Sequence, residues 1–157
     1  MKKIKNLQEV YSQCGEEGII RVKEEFDKYL TESLLKSAKE DLAGLEDIEL
    51  AFEKKKRHYS FLFKSRYDVL RKLMDAFLLF DKIKTTNHQC GNAHICIYHS
   101  ELELSWESLE TIRLVRNAIN YEGKELLRDE WLAYKVQFKI LTDLFQREIE
   151  KKLCQKP

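Results

Sequence analysis

The chain has 157 residues, 43% of them hydrophobic and 35% charged, with a formal net charge of +1. That length suits one domain over residues 1–157 with a sizeable core, and the balance excludes a disordered chain. The longest unbroken apolar run, Ala76 to Phe80, is far too short to span a bilayer, and near-cancelling charges leave any nucleic-acid contact to a local patch.

Helix dominates the expected elements. There is one proline, Pro157, and five glycines, so little interrupts it, and spacings of three and four abound. A short helix starts at Asn6, where Asn6 and Glu9 form a capping box, and stops near Cys14-Gly15. A second runs from about Glu17 toward Glu40, with Ile19, Val22, Phe26, Leu30 and Leu34 on one face. It bends or breaks near Gly44 and continues through Ile48 and Phe52 to the basic run Lys54–Arg57. The third helix is the most apolar. Phe63, Tyr67, Leu70, Met74 and Phe77 recur at steps of four, three, four and three, which predicts a central position. Residues 85–98 are polar and non-periodic and read as a loop. A further helix starts at Ser100, with Glu103 as its capping partner, and Gly123 ends it. The last runs from about Lys124 to Leu153 with a seam of Leu127, Trp131, Tyr134, Phe138, Leu141 and Phe145. These lengths predict an all-α, up-and-down four-helix bundle with a short extra N-terminal helix, its last two helices antiparallel neighbours.

The basic N-terminus, Met1–Asn6, lacks the apolar stretch of a signal peptide. Cys14, Cys90, Cys96 and Cys154 are too scattered for a secreted disulfide scaffold, so the expectation is free thiols in a reducing cytoplasm.

The most informative segment is Leu114–Gly123. Leu109, Ile112, Arg116 and Ile119 are spaced three, four and three, which places an arginine on an apolar stripe, with Asn120 one turn further along. A buried guanidinium is costly unless partnered. Two readings stand: Arg116 pairs with an acid of a neighbouring helix, or it lines a cleft and grips phosphate by a bidentate contact. The segment resembles the signature of the HEPN superfamily, small helical proteins that include RNA-cleaving toxins and nucleotidyltransferase partners. Its pattern is Arg, often followed by Asn, with His a few residues on, near the end of one bundle helix and before the last. Arg116, Asn117 and Gly123 match that placement. The resemblance covers residues 100–153 closely and the remainder only in architecture.

The resemblance implies a homodimer in which Arg and His of two subunits meet at the scissile phosphate of an RNA. Here Tyr121 occupies the His position, and no histidine follows His99. A phenol titrates near pKa ~10 and is a poor general base at neutral pH, though it can donate a hydrogen bond or stack on a base. The expectation is a degenerate motif: Arg116, Asn117 and Tyr121 at the catalytic positions, with Arg116, Asn120 and Lys124 contacting RNA or a nucleotide. The implied role is a binding component of a toxin–antitoxin or phage-defence type system, with an antitoxin or nucleotidyltransferase partner. The alternative is an active, metal-independent endoribonuclease.

A second cluster, His88, Cys90, His94, Cys96 and His99, holds five of the eight Cys and His residues of the chain. Thiolate and imidazole are zinc ligands, so His88, Cys90, His94 and Cys96 are candidates for a zinc-stabilised adaptor, although no Cys-x2-Cys knuckle is present. The competing reading is a loop with incidental ligands. His99 could supply the missing imidazole only across a dimer, because the intervening helix separates it from Arg116 by about 25 Å. The basic run Lys54–His58, beside Tyr59, Phe61 and Phe63, reads either as a solvated helix face or as an RNA-backbone contact. No P-loop, Gly-x-Ser-x-Gly elbow or Glu-x-x-His pattern occurs.

Overall fold

The structure, a computed structural model, describes residues 3–155; Met1, Lys2, Lys156 and Pro157 lie outside it. It is an all-α bundle of four long helices and two short ones. They are α1 (Leu7–Glu16), α2 (Lys28–Lys54), α3 (Tyr59–Leu78), α4 (His88–Tyr98), α5 (Trp106–Tyr121) and α6 (Arg128–Gln155). None of the described helices is long and apolar enough to cross a membrane.

The central place of α3 follows from its residues. Thirteen of its twenty are buried, so it is enclosed on nearly every side, and α2, α4, α5 and α6 all pack on it. Phe63 meets Tyr134 and Phe138 of α6 edge-on at 5.0 Å, and Phe77 meets Phe145 at 5.5 Å. Such rings dominate core energetics through buried area.

Four boundaries differ from the sequence reading. Asn6 caps α1 as expected, accepting from the N–H groups of Gln8 and Glu9. Helix α2, however, starts at its own cap, Asp27. Arg21–Val22 (β1) before it pair antiparallel with Ile83–Lys84 (β2), so Val22 points to solvent at 75% exposure rather than onto a helix face. Gly44 does not break α2, which runs on to Lys54. Ser105, not Ser100, caps α5, accepting from Ser108 N–H; residues 100–102 make a single 3-10 turn. Finally, α6 begins at Arg128.

The largest departure is α4. Residues 88–98 form a helix capped by Asn87. Cys90 through Ile95 are all buried, so polar and apolar residues alike face protein and no amphipathic period survives. Gly91 lets this helix sit against α3, since a Cβ there would lie 3.0 Å from Arg71 Nη2 and 3.2 Å from Nη1.

Gly123 ends α5 at φ +69°, and the N–H groups of Glu122 and Lys124 both return to the Ala118 carbonyl. The helices on either side of it do not become close neighbours. Helix α5 packs on α3 and α4, whereas α6 packs on α3 and α2.

The expectation of four free thiols is also corrected. Cys14 and Cys90 form a disulfide with Cα atoms 5.8 Å apart, fastening α1 to α4. Val10 and Ala93 complete a small satellite core there. Cys96 and Cys154 remain as thiols.

Candidate functional site

Antiparallel packing of α5 along α3 brings Arg116 onto Tyr67, with the guanidinium carbon 5.7 Å from the ring centroid. Asn120, one turn on, accepts from Arg116 Nε at 3.1 Å and Nη1 at 3.0 Å when its amide is oriented by these contacts. Among the described residues no carboxylate lies within 4.0 Å of this guanidinium. Asp68 senses its charge only at longer range; local desolvation still holds that carboxyl above its ordinary value. Of the two readings of Arg116, internal neutralisation by an acid is therefore the one the structure does not contain.

The third member comes from α4. The Tyr67 hydroxyl lies 2.9 Å from His88 Nδ1. Burial pushes the phenol up to about 12, so it stays protonated. It has no other acceptor among the described residues, so it donates to Nδ1 and leaves Nε2–H of the neutral imidazole as a donor. Burial, then the charges of Arg71, Arg116 and Arg113, lower His88 to about 4. Tyr67 thus carries a cation on its ring and an imidazole on its hydroxyl, joining α3, α4 and α5 at one point.

Beneath this layer lies Glu110, fully buried. It accepts from Gln89 Nε2 at 2.8 Å, Asn92 Nδ2 at 3.2 Å and the Arg113 fork at 2.7–3.0 Å. Every oxygen of this carboxylate is satisfied, as burial demands. Arg71 is less completely served. Its Nη2 reaches Asp75 at 2.6 Å, but Nε and Nη1 are buried without an acceptor.

The other predicted residues scatter. Asn117 is half-buried on α5 and Tyr121 is 77% exposed at its end. Lys124 is engaged by Glu130 at 3.1 Å, where Glu130 also caps the start of α6. Lys124 nonetheless lines an open cavity of about 600 Å³ together with Lys56, Arg57, His58, Phe61 and Arg128. The basic run and the loop after Gly123 therefore form one groove, with Ile119, one turn beyond Arg116, in its wall.

The four proposed zinc ligands are not brought together. Cys90 is bonded to Cys14, His88 to Tyr67, and His94 lies with Asp81. Burial, aided by Glu110, pushes the Cys96 thiol up to about 11, which disfavours the thiolate a metal needs. Positions 88, 90, 94 and 96 of a helix point different ways, so the reading failed where it took these residues for a loop. His99 is likewise far from Arg116 chemistry. Its Nε2 contacts Asp81 at 2.6 Å and its Nδ1 contacts Glu101 at 2.9 Å. Burial works against its proton, but these two carboxylates hold it above its ordinary value.

Sequence reasoning missed Tyr67, Arg71, Glu110 and Arg113 as site residues. Arg113 had a legible signal, lying three residues before Arg116 and three after Glu110. Tyr67 had none, because it sits on the apolar stripe of α3 like any core aromatic. No family model, curated protein or solved structure matches this chain.

Proposed function

We propose that this protein is a HEPN-like RNA- or nucleotide-binding component whose phosphate contact is centred on Arg116. The observation that carries this reading is the placement of Arg116: half-buried on the Tyr67 ring, hydrogen-bonded to a neutral amide, and with no carboxylate within 4.0 Å among the described residues. A half-buried guanidinium in that state favours a bidentate oxyanion. The Nε2–H of His88 adds a second donor. The groove lined by Lys56, Arg57 and Arg128 adds sequence-independent phosphate attraction, and Phe61 and Tyr121, both exposed, offer stacking surfaces.

Binding of a mixed single-stranded RNA pool, followed by fluorescence anisotropy at several salt concentrations, tests this. Wild type should bind with an affinity that falls with salt, and Arg116→Ala should weaken it about tenfold, the worth of one charge-assisted contact. RNA affinity unchanged in Arg116→Ala would refute it.

A second reading, the metal-independent endoribonuclease, gains support from His88. The imidazole absent at Tyr121 is present within the same subunit, across Tyr67 from Arg116. As a base it is weak, because burial and the charges of Arg71, Arg116 and Arg113 depress it and Tyr67 occupies its Nδ1 lone pair; a bound phosphate would offset the arginine charge, and Tyr67 would have to release Nδ1. On this reading RNA cutting is lost in His88→Ala and retained in Tyr121→Phe. No cutting by wild type at high protein concentration leaves the binding role. A toxin–antitoxin or phage-defence setting and a homodimer belong to the same proposal, and the mass of the particle in solution checks the latter.

A further inference from the structure

A separate constellation lies at the other end of α4, independent of the phosphate reading. Asp81 ends the 3-10 turn that follows α3, His94 is on α4, and His99 follows α4. Asp81 Oδ2 lies 3.0 Å from His94 Nε2 and 2.6 Å from His99 Nε2. The three ligand atoms all lie within 4.8 Å of one another. Both imidazoles are more than nine-tenths buried and the aspartate side chain is 25% exposed, which leaves one side open to solvent.

Each ring is oriented through its other nitrogen. His94 Nδ1 lies 3.3 Å from the Tyr11 hydroxyl, and His99 Nδ1 lies 2.9 Å from Glu101 Oε1. The rings are also clamped by neighbours: Tyr98 stacks on His94 at 4.7 Å, and Phe77 meets His99 edge-on at 4.7 Å. Tyr11 reaches His94 because the Cys14–Cys90 disulfide fastens α1 to α4. Metal-ligating histidines characteristically place their distal nitrogen on a carboxylate or another oxygen partner in this way, which sets tautomer and ring orientation.

We propose that Asp81, His94 and His99 form a binding site for one divalent transition-metal ion of the zinc class. Two imidazole nitrogens and one carboxylate oxygen suit such an ion, and three protein ligands leave a position for water. Tetrahedral zinc with bonds of ~2.0–2.1 Å sets its ligand atoms about 3.3 Å apart. Both Nε2 atoms now contact Asp81 Oδ2, so an ion takes nearly the place of that oxygen and Asp81 withdraws by about an ångström to ligate it. His99 keeps its Nδ1 proton on Glu101 and presents Nε2 to the ion. His94 does the same, donating Nδ1–H to the Tyr11 oxygen. The ion joins the turn after α3 to α4 and to the residue that ends α4.

The full chain, dialysed against chelator and then metal-free buffer, is titrated with Zn²⁺ by calorimetry and with Co²⁺ by visible spectroscopy. The expected result is one ion per chain and cobalt bands without thiolate charge transfer. Affinity should fall at least tenfold in His94→Gln and in Asp81→Asn, and about tenfold in Tyr11→Phe and Glu101→Gln through the outer contacts. Cys96→Ser and Cys154→Ser should leave it unchanged. No saturable uptake by the wild-type chain overturns the site, whatever the folding of the variants. So does a thiolate band in the cobalt spectrum, or full-strength binding in a folded Asp81→Asn/His94→Gln double variant.

Discussion

The two sides of α3 handle buried arginine in opposite ways. Toward α2 and α6, Arg66 forks onto Glu49, with Nη2 donating to Oε2 at 2.8 Å and Nε to the other oxygen. Lys135 closes the group, 3.5 Å from Glu49 and 2.7 Å from Glu53, and Trp131 donates to Glu53 as well. Charges there are matched and their donors used. Toward α4 and α5, Arg113 is matched by Glu110, Arg71 is half-served by Asp75, and Arg116 has no carboxylate within 4.0 Å among the described residues. A buried pair completed on all sides reads as architecture, whereas unmatched cation density beside an imidazole and an open groove reads as a place for an anion.

The contrast can be broken first on the matched side. Glu49→Ala leaves Arg66 buried and uncompensated, and should cost about 3–5 kcal/mol in urea unfolding. Replacing both partners together by Leu and Met should restore most of it. If the single substitution costs no more than a surface change, the pair does not hold α2 to α3 as described.

Loss of the Cys14–Cys90 bridge ranks next. It closes a loop between residues 76 apart in sequence, so Cys14→Ser should lower stability by about 2–4 kcal/mol. The same loss should follow addition of reductant to wild type. Because the bridge carries Tyr11 to His94, metal affinity should weaken alongside it.

Arg116→Ala sharpens the other side. With no ion pair to break, it should cost only about 1 kcal/mol of stability through lost contact of its stem and the Tyr67 ring, while RNA affinity falls. A stability loss as large as that of Glu49→Ala would make Arg116 a structural residue.

The smallest expected effect is in acid. His88 is lowered to about 4 from an ordinary 6.5, so between these values the unfolded chain takes up a proton that the folded chain refuses. Stability then falls as pH drops through that window. His88→Gln should flatten this part of the profile of thermal midpoint against pH. By proton NMR the His88 titration should move upward when RNA binds, as phosphate offsets Arg71, Arg113 and Arg116. A midpoint indifferent to RNA would separate His88 from the phosphate site.

Much of the bundle was legible in the chain. The periodic stripe of α3, the Asn6 cap, the stop at Gly123 and the seam of α6 from Trp131 to Phe145 each follow from local rules of spacing and capping, which need no distant partner; Leu127, expected to start that seam, precedes α6 and is exposed. Helix α4 was not legible, because Cys90 through Ile95 are buried in succession whatever their polarity, so the chain there lacks the amphipathic period that marks most helices. The start of α2 was misplaced for a related reason: Ile19, Val22 and Phe26 carry helical spacing, yet pairing of β1 with residues 83–84 competes for that backbone.

The site divides the same way. Residue types and spacing singled out Arg116 as an arginine on a buried stripe, since periodicity is a property of the chain alone. Whether an acid met it, and that Tyr67 and His88 meet there, depended on three helices crossing. Likewise the chain could show that histidines and cysteines crowd into residues 88–99. Long-range packing alone determined that Cys90 pairs with Cys14 and that His94 and His99 converge on Asp81, because contacts between residues far apart in sequence leave no periodic trace in it.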